Sequence, residues 1–136
     1  MKTSAKKSVS KEQALANYLE VPLTDAKGLM EDYDYKVLTD AEADAEAKEY
    51  ILESAWAFKY SFLCNHSEAI AEIPEKNFTD MAGKLCESFN KAVLAMIPDK
   101  THFVCDAISS DGRGHFLSQY DGEEIEQDGF YIYRCN

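Results

Sequence analysis

The chain has 136 residues, 46% of them hydrophobic and 12% aromatic, and a formal net charge of −11. Its length suits one compact domain, and its apolar content excludes a wholly disordered chain. No apolar run approaches the roughly 20 residues that cross a bilayer, and the first residues lack the apolar centre of a secretory signal. We therefore expect a cytoplasmic protein whose four cysteines are reduced thiols.

Negative charge dominates everything after the first residues. Four lysines, Lys2, Lys6, Lys7 and Lys11, precede the first acidic residue, so residues 12–136 carry a formal net charge of −15. Such a charge repels nucleic acids and anionic lipids and attracts basic surfaces. We predict a flexible basic tail over residues 1–10, a single α+β domain over residues 11–136, and a cationic partner.

A short helix and a strand are the first predicted elements. Ser10 is a suitable cap for a helix over residues 11–20, where apolar side chains recur at helical spacing until Pro22. Tyr33, Tyr35 and Val37 alternate with Asp34, Lys36 and Leu38. This alternation predicts a strand with a largely aromatic face.

Three helical regions are predicted in the middle of the chain. Residues 39–42 form a capping-box pattern that opens a helix of about 24 residues without Gly or Pro. A second helical region covers residues 79–96, and a third runs from Pro98 to Ser109 and ends at Asp111-Gly112. The side chains expected to face inward in the second region are Phe78, Met81, Leu85, Phe89, Ala92 and Met96.

The C-terminus has the pattern of a β-hairpin. Two strands, Glu123–Gln127 and Phe130–Arg134, flank an Asp128-Gly129 step, which favours a type I′ turn. This register places Ile125 opposite Ile132. Because a lone hairpin is marginal in water, we expect the first strand to pair with it. The predicted fold is α+β, with three to four helices packed on a small antiparallel sheet that ends in this hairpin.

A row of carboxylates on the long helix is the main candidate site. Glu42, Glu46, Glu49 and Glu53 step by four, three and four residues, so they share one helix face. A rise of ~1.5 Å per residue spaces their Cα atoms about 4.5 to 6 Å apart, comparable with phosphates along a nucleic-acid strand. The same acidic surface is predicted to extend over Glu31, Asp32, Asp34, Glu123, Glu124 and Glu126. The row is either a solvated face or an imitation of a nucleic-acid backbone.

No catalytic motif is found in the sequence, so we expect no enzymatic activity, no catalytic residue and no cofactor. Cys64 and His66, with His102 and Cys105, offer four zinc ligands as an alternative, but neither pair has the CxxC spacing of a zinc site. We therefore expect no metal.

The segment DGRGHFLSQYDGEE (111–124) is the alternative binding site. Two Asp-Gly steps bracket Arg113 and His115, and an ordered loop at this point would present them to an anion or a nucleotide. In the plainer interpretation Arg113 pairs with Asp111 or Asp121 and His115 simply packs.

This segment and YIYRCN, together with YKVLTDAEADAEAKEYI upstream, resemble small acidic proteins encoded by phages and other mobile elements. The resemblance covers roughly the C-terminal 28 residues and the range 35–51. It implies a protein that disables host defence or metabolic machinery, as anti-CRISPR and anti-restriction proteins do, in the host cytoplasm.

We therefore expect a non-enzymatic inhibitor that binds the basic groove of a host nucleic-acid-binding protein, with no direct nucleic-acid or membrane contact. A homodimer through Tyr131 and Tyr133 is left open. The alternative is a small-ligand protein that sequesters a nucleotide at Arg113 and His115.

Overall fold

The computed structural model describes residues 9–136, which divide into two compact units. We call residues 9–47 with 111–136 the terminal unit and residues 48–110 the central unit. The predicted tail falls mostly on residues 1–8, which lie outside the described residues, and the single domain over residues 11–136 stays a prediction.

The helices are α1 (Lys11–Leu19), α2 (Leu23–Glu31), α3 (Asp40–Glu53), α4 (Tyr60–Cys64), α5 (Glu68–Ala71), α6 (Glu75–Leu85), α7 (Asn90–Ala95), α8 (Lys100–Asp111) and α9 (Arg113–Leu117), and the strands are β1 (Tyr35–Leu38), β2 (Ile125–Gln127) and β3 (Phe130–Arg134).

The fold class is α+β, as predicted, but the described chain has more helices than the expected three to four. None of the helices in residues 9–136 combines the length and apolar character that a membrane crossing needs. All four cysteines are free thiols.

The terminal unit is built around a three-stranded antiparallel sheet of order β1-β3-β2. The hairpin register places Ile125 opposite Ile132, as predicted, and β1 pairs with β3 so that Tyr35 lies opposite Arg134. Asp128 and Gly129 both have positive φ, the conformation that a type I′ turn requires. The paired first strand and the hairpin are therefore confirmed, with β1 and β2 each starting two residues later than expected.

Helices α1 and α2 cover one face of this sheet. Ser10 caps α1 by accepting a hydrogen bond from the Gln13 backbone N–H at 3.0 Å, as predicted. Helix α2 was not predicted: its sequence LTDAKGLME contains a glycine, and no side chain caps its start. The core that joins the two helices to the sheet consists of Leu15, Ala16, Ala26, Val37 and Ile132.

The predicted long helix is wrong in its length. Helix α3 stops at Glu53, and a 3-10 turn and α4 follow. The side chain of Asn90 occupies the break: its Oδ1 accepts from the Trp56 backbone N–H at 3.0 Å, and its Nδ2 donates to the Leu52 carbonyl at 2.8 Å. A side chain about 35 residues away thus replaces backbone bonds of a continuous helix.

The second helical region is also interrupted. Helix α6 ends at Leu85, the next residue, Cys86, has a positive φ of 52°, and a 3-10 turn leads to α7. This change of direction leaves Met81 and Leu85 more than 40% exposed, so their predicted inward orientation is wrong. Ala92 is exposed as well, whereas Phe78 and Phe89 are buried as expected.

Helix α8 supplies the centre of the central unit. Phe103, Val104 and Ala107 are buried on one face, as predicted. The Phe103 ring packs against Phe62 and against the buried ring of His66, at centroid distances of 5.7 and 5.4 Å.

Candidate functional site

The two units differ strongly in charge. The described part of the terminal unit has sixteen acidic and five basic residues, a formal net charge of −11, whereas the central unit has nine acidic and six basic residues, a net charge of −3. Among the described residues, the negative charge is therefore concentrated in the terminal unit.

The first glutamate of the predicted carboxylate row forms an ion pair with a lysine. Glu42 accepts hydrogen bonds from the Lys11 ammonium at 2.8 Å and from the Thr39 backbone N–H at 2.9 Å. The Thr39 hydroxyl accepts in return from the Glu42 N–H, which completes the predicted capping box. The hydrogen bond from Lys11, followed by the one from Thr39, lowers the pKa of Glu42.

The other members of the row differ in their surroundings. Glu46 lies 2.8 Å from the Lys36 ammonium. Glu49 and Glu53, which lie on the part of α3 assigned to the central unit, are exposed and form no ion pair with a described residue. All four glutamates thus lie on one helix, but internal lysines reduce the charge of the first two.

Arg113 joins three parts of the terminal unit. It donates to Asp40 at 2.8 Å, to Asp44 at 2.9 Å and through Nε to Glu124 at 3.0 Å, and its guanidinium lies over the Tyr131 ring. Its side chain is only 12% exposed. Burial opposes the charged form, but the hydrogen bonds to the three carboxylates raise the pKa of Arg113.

The segment that contains Arg113 is not an open loop. Residues 113–117 form α9, and Gly114 packs so tightly that an added Cβ would lie 2.5 Å from the Gly122 carbonyl oxygen. Arg113 pairs with neither of its predicted partners, Asp111 and Asp121. Its charge is already countered by three carboxylates, so it is a poor receptor for a further anion, whereas His115 is exposed.

Glu124 and Tyr133 form an internal pair. The Tyr133 hydroxyl donates to Glu124, which also receives Arg113. Burial, together with this hydrogen bond, raises the pKa of Tyr133. Tyr133 is fully buried within its unit, so its side chain is not available for the dimer interface that the sequence left open.

Most carboxylates of the terminal unit remain unpaired. Only Asp40, Glu42, Asp44, Glu46 and Glu124 form ion pairs there. The other eleven form no ion pair with a described residue and are Glu12, Glu20, Asp25, Glu31, Asp32, Asp34, Asp111, Asp121, Glu123, Glu126 and Asp128.

Several of the unpaired carboxylates share one end of the sheet. Both β1 and β2 run antiparallel to β3, so they start at the same end. Asp32 and Asp34 precede β1, and Asp121 and Glu123 precede β2. Strand β1 starts opposite Arg134 and β2 opposite Ile132, so two strand spacings and an offset of two residues put the two starts about 12 Å apart. We call these four residues the acidic sheet end.

Local contacts hold two of these carboxylates in place. Asp121 accepts from the Ser118 hydroxyl at 2.8 Å and from the Glu123 backbone N–H at 3.0 Å, and the latter bond is the main cause of its lowered pKa. Asp34 accepts from the Asn136 amide at 2.8 Å. Strand order, which sequence patterns alone did not supply, is what brings the two acidic segments together.

The proposed zinc ligands are only partly assembled in the central unit. Cys64, His66 and His102 line one cavity of about 600 Å³, and Cys105 is exposed. His66 instead bonds through Nε2 to Asp106 at 2.7 Å. Among residues 9–136, no three or more His, Cys, Asp or Glu side chains are placed to hold a metal ion.

Comparison with family models, with curated proteins and with solved structures finds no match to this chain.

Proposed function

We propose that the protein is a non-enzymatic, phage-type inhibitor that occupies the basic groove of a host defence or nucleic-acid-binding protein. Its acidic surface takes the place of nucleic-acid phosphates in that groove. The observation that carries the proposal is the concentration of unpaired carboxylates in the terminal unit.

Internal pairing decides which carboxylates face the partner. Glu42, Glu46 and Glu124 each form an ion pair with a lysine or arginine of the same unit. Less of their negative charge is therefore available to another protein. The four residues of the acidic sheet end are exposed or half-exposed, and none forms an ion pair with a described residue. The same is true of Glu31 and Glu126, which are near them in the sequence. The two acidic segments of the sheet end are close enough to contact one basic groove. We therefore place the main contact there.

Electrostatic recognition of this kind has a measurable signature. Repulsion among nearby carboxylates is relieved when lysines or arginines of a partner approach, so association is fast and weakens steeply with salt. A protein that holds DNA or RNA through phosphate contacts already has the complementary surface.

The test has two stages. Bacterial proteins that bind the immobilised chain at low salt and elute at high salt are identified, and each is then assayed for binding of labelled DNA or RNA. The proposal expects a nucleic-acid-binding protein whose nucleic acid is displaced stoichiometrically by this chain. Simultaneous binding of chain and nucleic acid, or the absence of any nucleic-acid-binding protein from the eluate, contradicts it.

A further inference from the structure

A second feature of the terminal unit is a cavity of about 490 Å³ that the acidic surface does not explain. Its volume falls within the range of roughly 300 to 1,000 Å³ that is usual for small-molecule sites. Two lysines, Lys11 and Lys36, two tyrosines, Tyr33 and Tyr35, and one carboxylate, Glu46, line it together with Gln119. We propose that this cavity binds a small planar anion of the nucleoside monophosphate class, independently of the inhibitor function.

Two glutamates on α3 anchor the two ammonium groups. Lys11 is fixed on Glu42 and Lys36 on Glu46, both at 2.8 Å. The two glutamates are four residues apart on α3 and are therefore neighbours along the helix, with Cβ atoms about 5 to 6 Å apart. One phosphate group has enough oxygens to accept a hydrogen bond from each of two neighbouring ammonium groups.

Both lysines retain donors for a ligand. An ammonium group has three N–H donors. Each lysine uses one of them in a hydrogen bond to a described residue, and each side chain is about one-third exposed. Glu42 also accepts a hydrogen bond from the Thr39 N–H. When Lys11 binds a ligand phosphate, this carboxylate therefore keeps a hydrogen-bond donor.

Tyr33 supplies an aromatic surface at a backbone position that favours glycine. Its φ is 60°, and it follows the end of α2, where its N–H donates to the Met30 carbonyl at 3.1 Å. A helix ends in this left-handed conformation most readily with glycine, so a tyrosine costs stability. Its ring is 82% exposed beside the cavity and is available to pack on a planar base.

Charge restricts the ligand to a small molecule. A DNA or RNA strand would bring many phosphates close to the unpaired carboxylates of the unit. A mononucleotide places its single phosphate at the two lysines, whose ammonium groups balance the adjacent Glu42 and Glu46, and carboxylates farther away than the screening length of about 8 Å contribute little.

The experiment is equilibrium dialysis of the full chain with AMP and GMP as probes, with inorganic phosphate and a short single-stranded oligonucleotide as comparisons. We expect saturable binding of one mononucleotide per chain, weaker binding of phosphate alone, and the weakest binding for the oligonucleotide. No saturable mononucleotide binding, or tighter binding of the oligonucleotide than of either mononucleotide, overturns the proposal.

Matched variants separate binding from folding. Tyr33→Gly should weaken mononucleotide binding at least tenfold while the protein stays as resistant to denaturant as the original or becomes more so. Glu20→Gly replaces another residue with left-handed φ, outside the cavity, and should leave binding unchanged. Lys36→Gln should weaken binding, and Lys27→Gln, which alters an exposed lysine on α2, should not. Equal affinity for the Tyr33 and Glu20 variants contradicts the assigned site.

Discussion

The Lys36 ammonium lies 2.8 Å from the Glu46 carboxylate, and this pair changes where the acidic surface of the protein is effective. A partner that approaches α3 meets a carboxylate whose charge is already balanced. The carboxylates at the start of β1 and β2 have no such partner among the described residues. The acidic sheet end, rather than the beginning of α3, is therefore the surface on which the proposed function depends.

Gly114 is expected to be the least replaceable glycine of the terminal unit. A methyl group at this position would lie 2.5 Å from the Gly122 carbonyl oxygen, so Gly114→Ala should lower the free energy of unfolding by about 1 to 3 kcal/mol. Gly28→Ala is the matched control, because nothing lies within 4 Å of its added Cβ in α2. It should raise stability by roughly 0.5 to 1 kcal/mol. Urea unfolding of both variants measures the difference, and equal effects would show that the close approach is absent.

Asn90 should stabilise the break after α3. Asn90→Ala removes the acceptor for Trp56 and the donor for Leu52, so we expect a loss of about 2 to 3 kcal/mol in the free energy of unfolding. Asn90→Asp keeps the acceptor and removes the donor, and its loss should be smaller than that of the alanine variant. Denaturant unfolding measures both losses, and an alanine variant as stable as the original protein would contradict this role.

Substitution of Arg113 should lower the stability of the protein even when the new side chain keeps the positive charge. Lysine keeps the charge but cannot reach Asp40, Asp44 and Glu124 together in the same fork geometry. We expect Arg113→Lys to cost about 1 kcal/mol and Arg113→Met about 1 to 2 kcal/mol, because the three carboxylates are partly solvated. Thermal unfolding at low and high salt tests this, and the cost of Arg113→Met should shrink as salt screens the carboxylate repulsion. A salt-independent cost would instead indicate that the apolar stem is responsible.

Acid should weaken the contact between α1 and α3. The pKa of Glu42 is lowered in the folded protein by Lys11 and Thr39, so its ionised form stabilises the fold. This contribution is present above the ordinary value of 4.5 and is lost as the pH falls through the lower value of the folded state. Glu42→Gln should therefore be less stable than the original protein at pH 7, with the difference narrowing below about pH 4. Unfolding midpoints measured from pH 7 to pH 3 test this, and a constant difference contradicts the ionic contribution.

Local signals in the sequence predicted local structure. Thr39 and Glu42 mark the start of α3, and Asp128 with Gly129 marks the hairpin turn, because in both cases the interacting groups are a few residues apart. The end of α3 could not be predicted in this way. Its cause is Asn90, which is 38 residues from Leu52 and belongs to another helix.

The candidate site shows the same limit. The acidic segments are visible in the sequence, but their pairing depends on distant contacts. Arg113 reaches Asp40 across 73 residues, and Lys11 reaches Glu42 across 31. Which carboxylates stay unpaired is therefore a property of the fold, and the helical spacing of the glutamates alone assigned the main role to α3.

The most direct test of the proposed function is displacement of labelled DNA or RNA from the captured partner by charge-reversal variants. Asp32→Lys with Glu123→Lys changes the acidic sheet end, and Glu72→Lys with Glu87→Lys makes the same change of charge at exposed positions of the central unit. We predict that the first pair raises the concentration needed for half-displacement at least tenfold and that the second pair changes it less than threefold, with both variants folded by circular dichroism. Equal loss in the two variants would mean that net charge alone drives binding, and full displacement by the first pair would contradict the assigned surface.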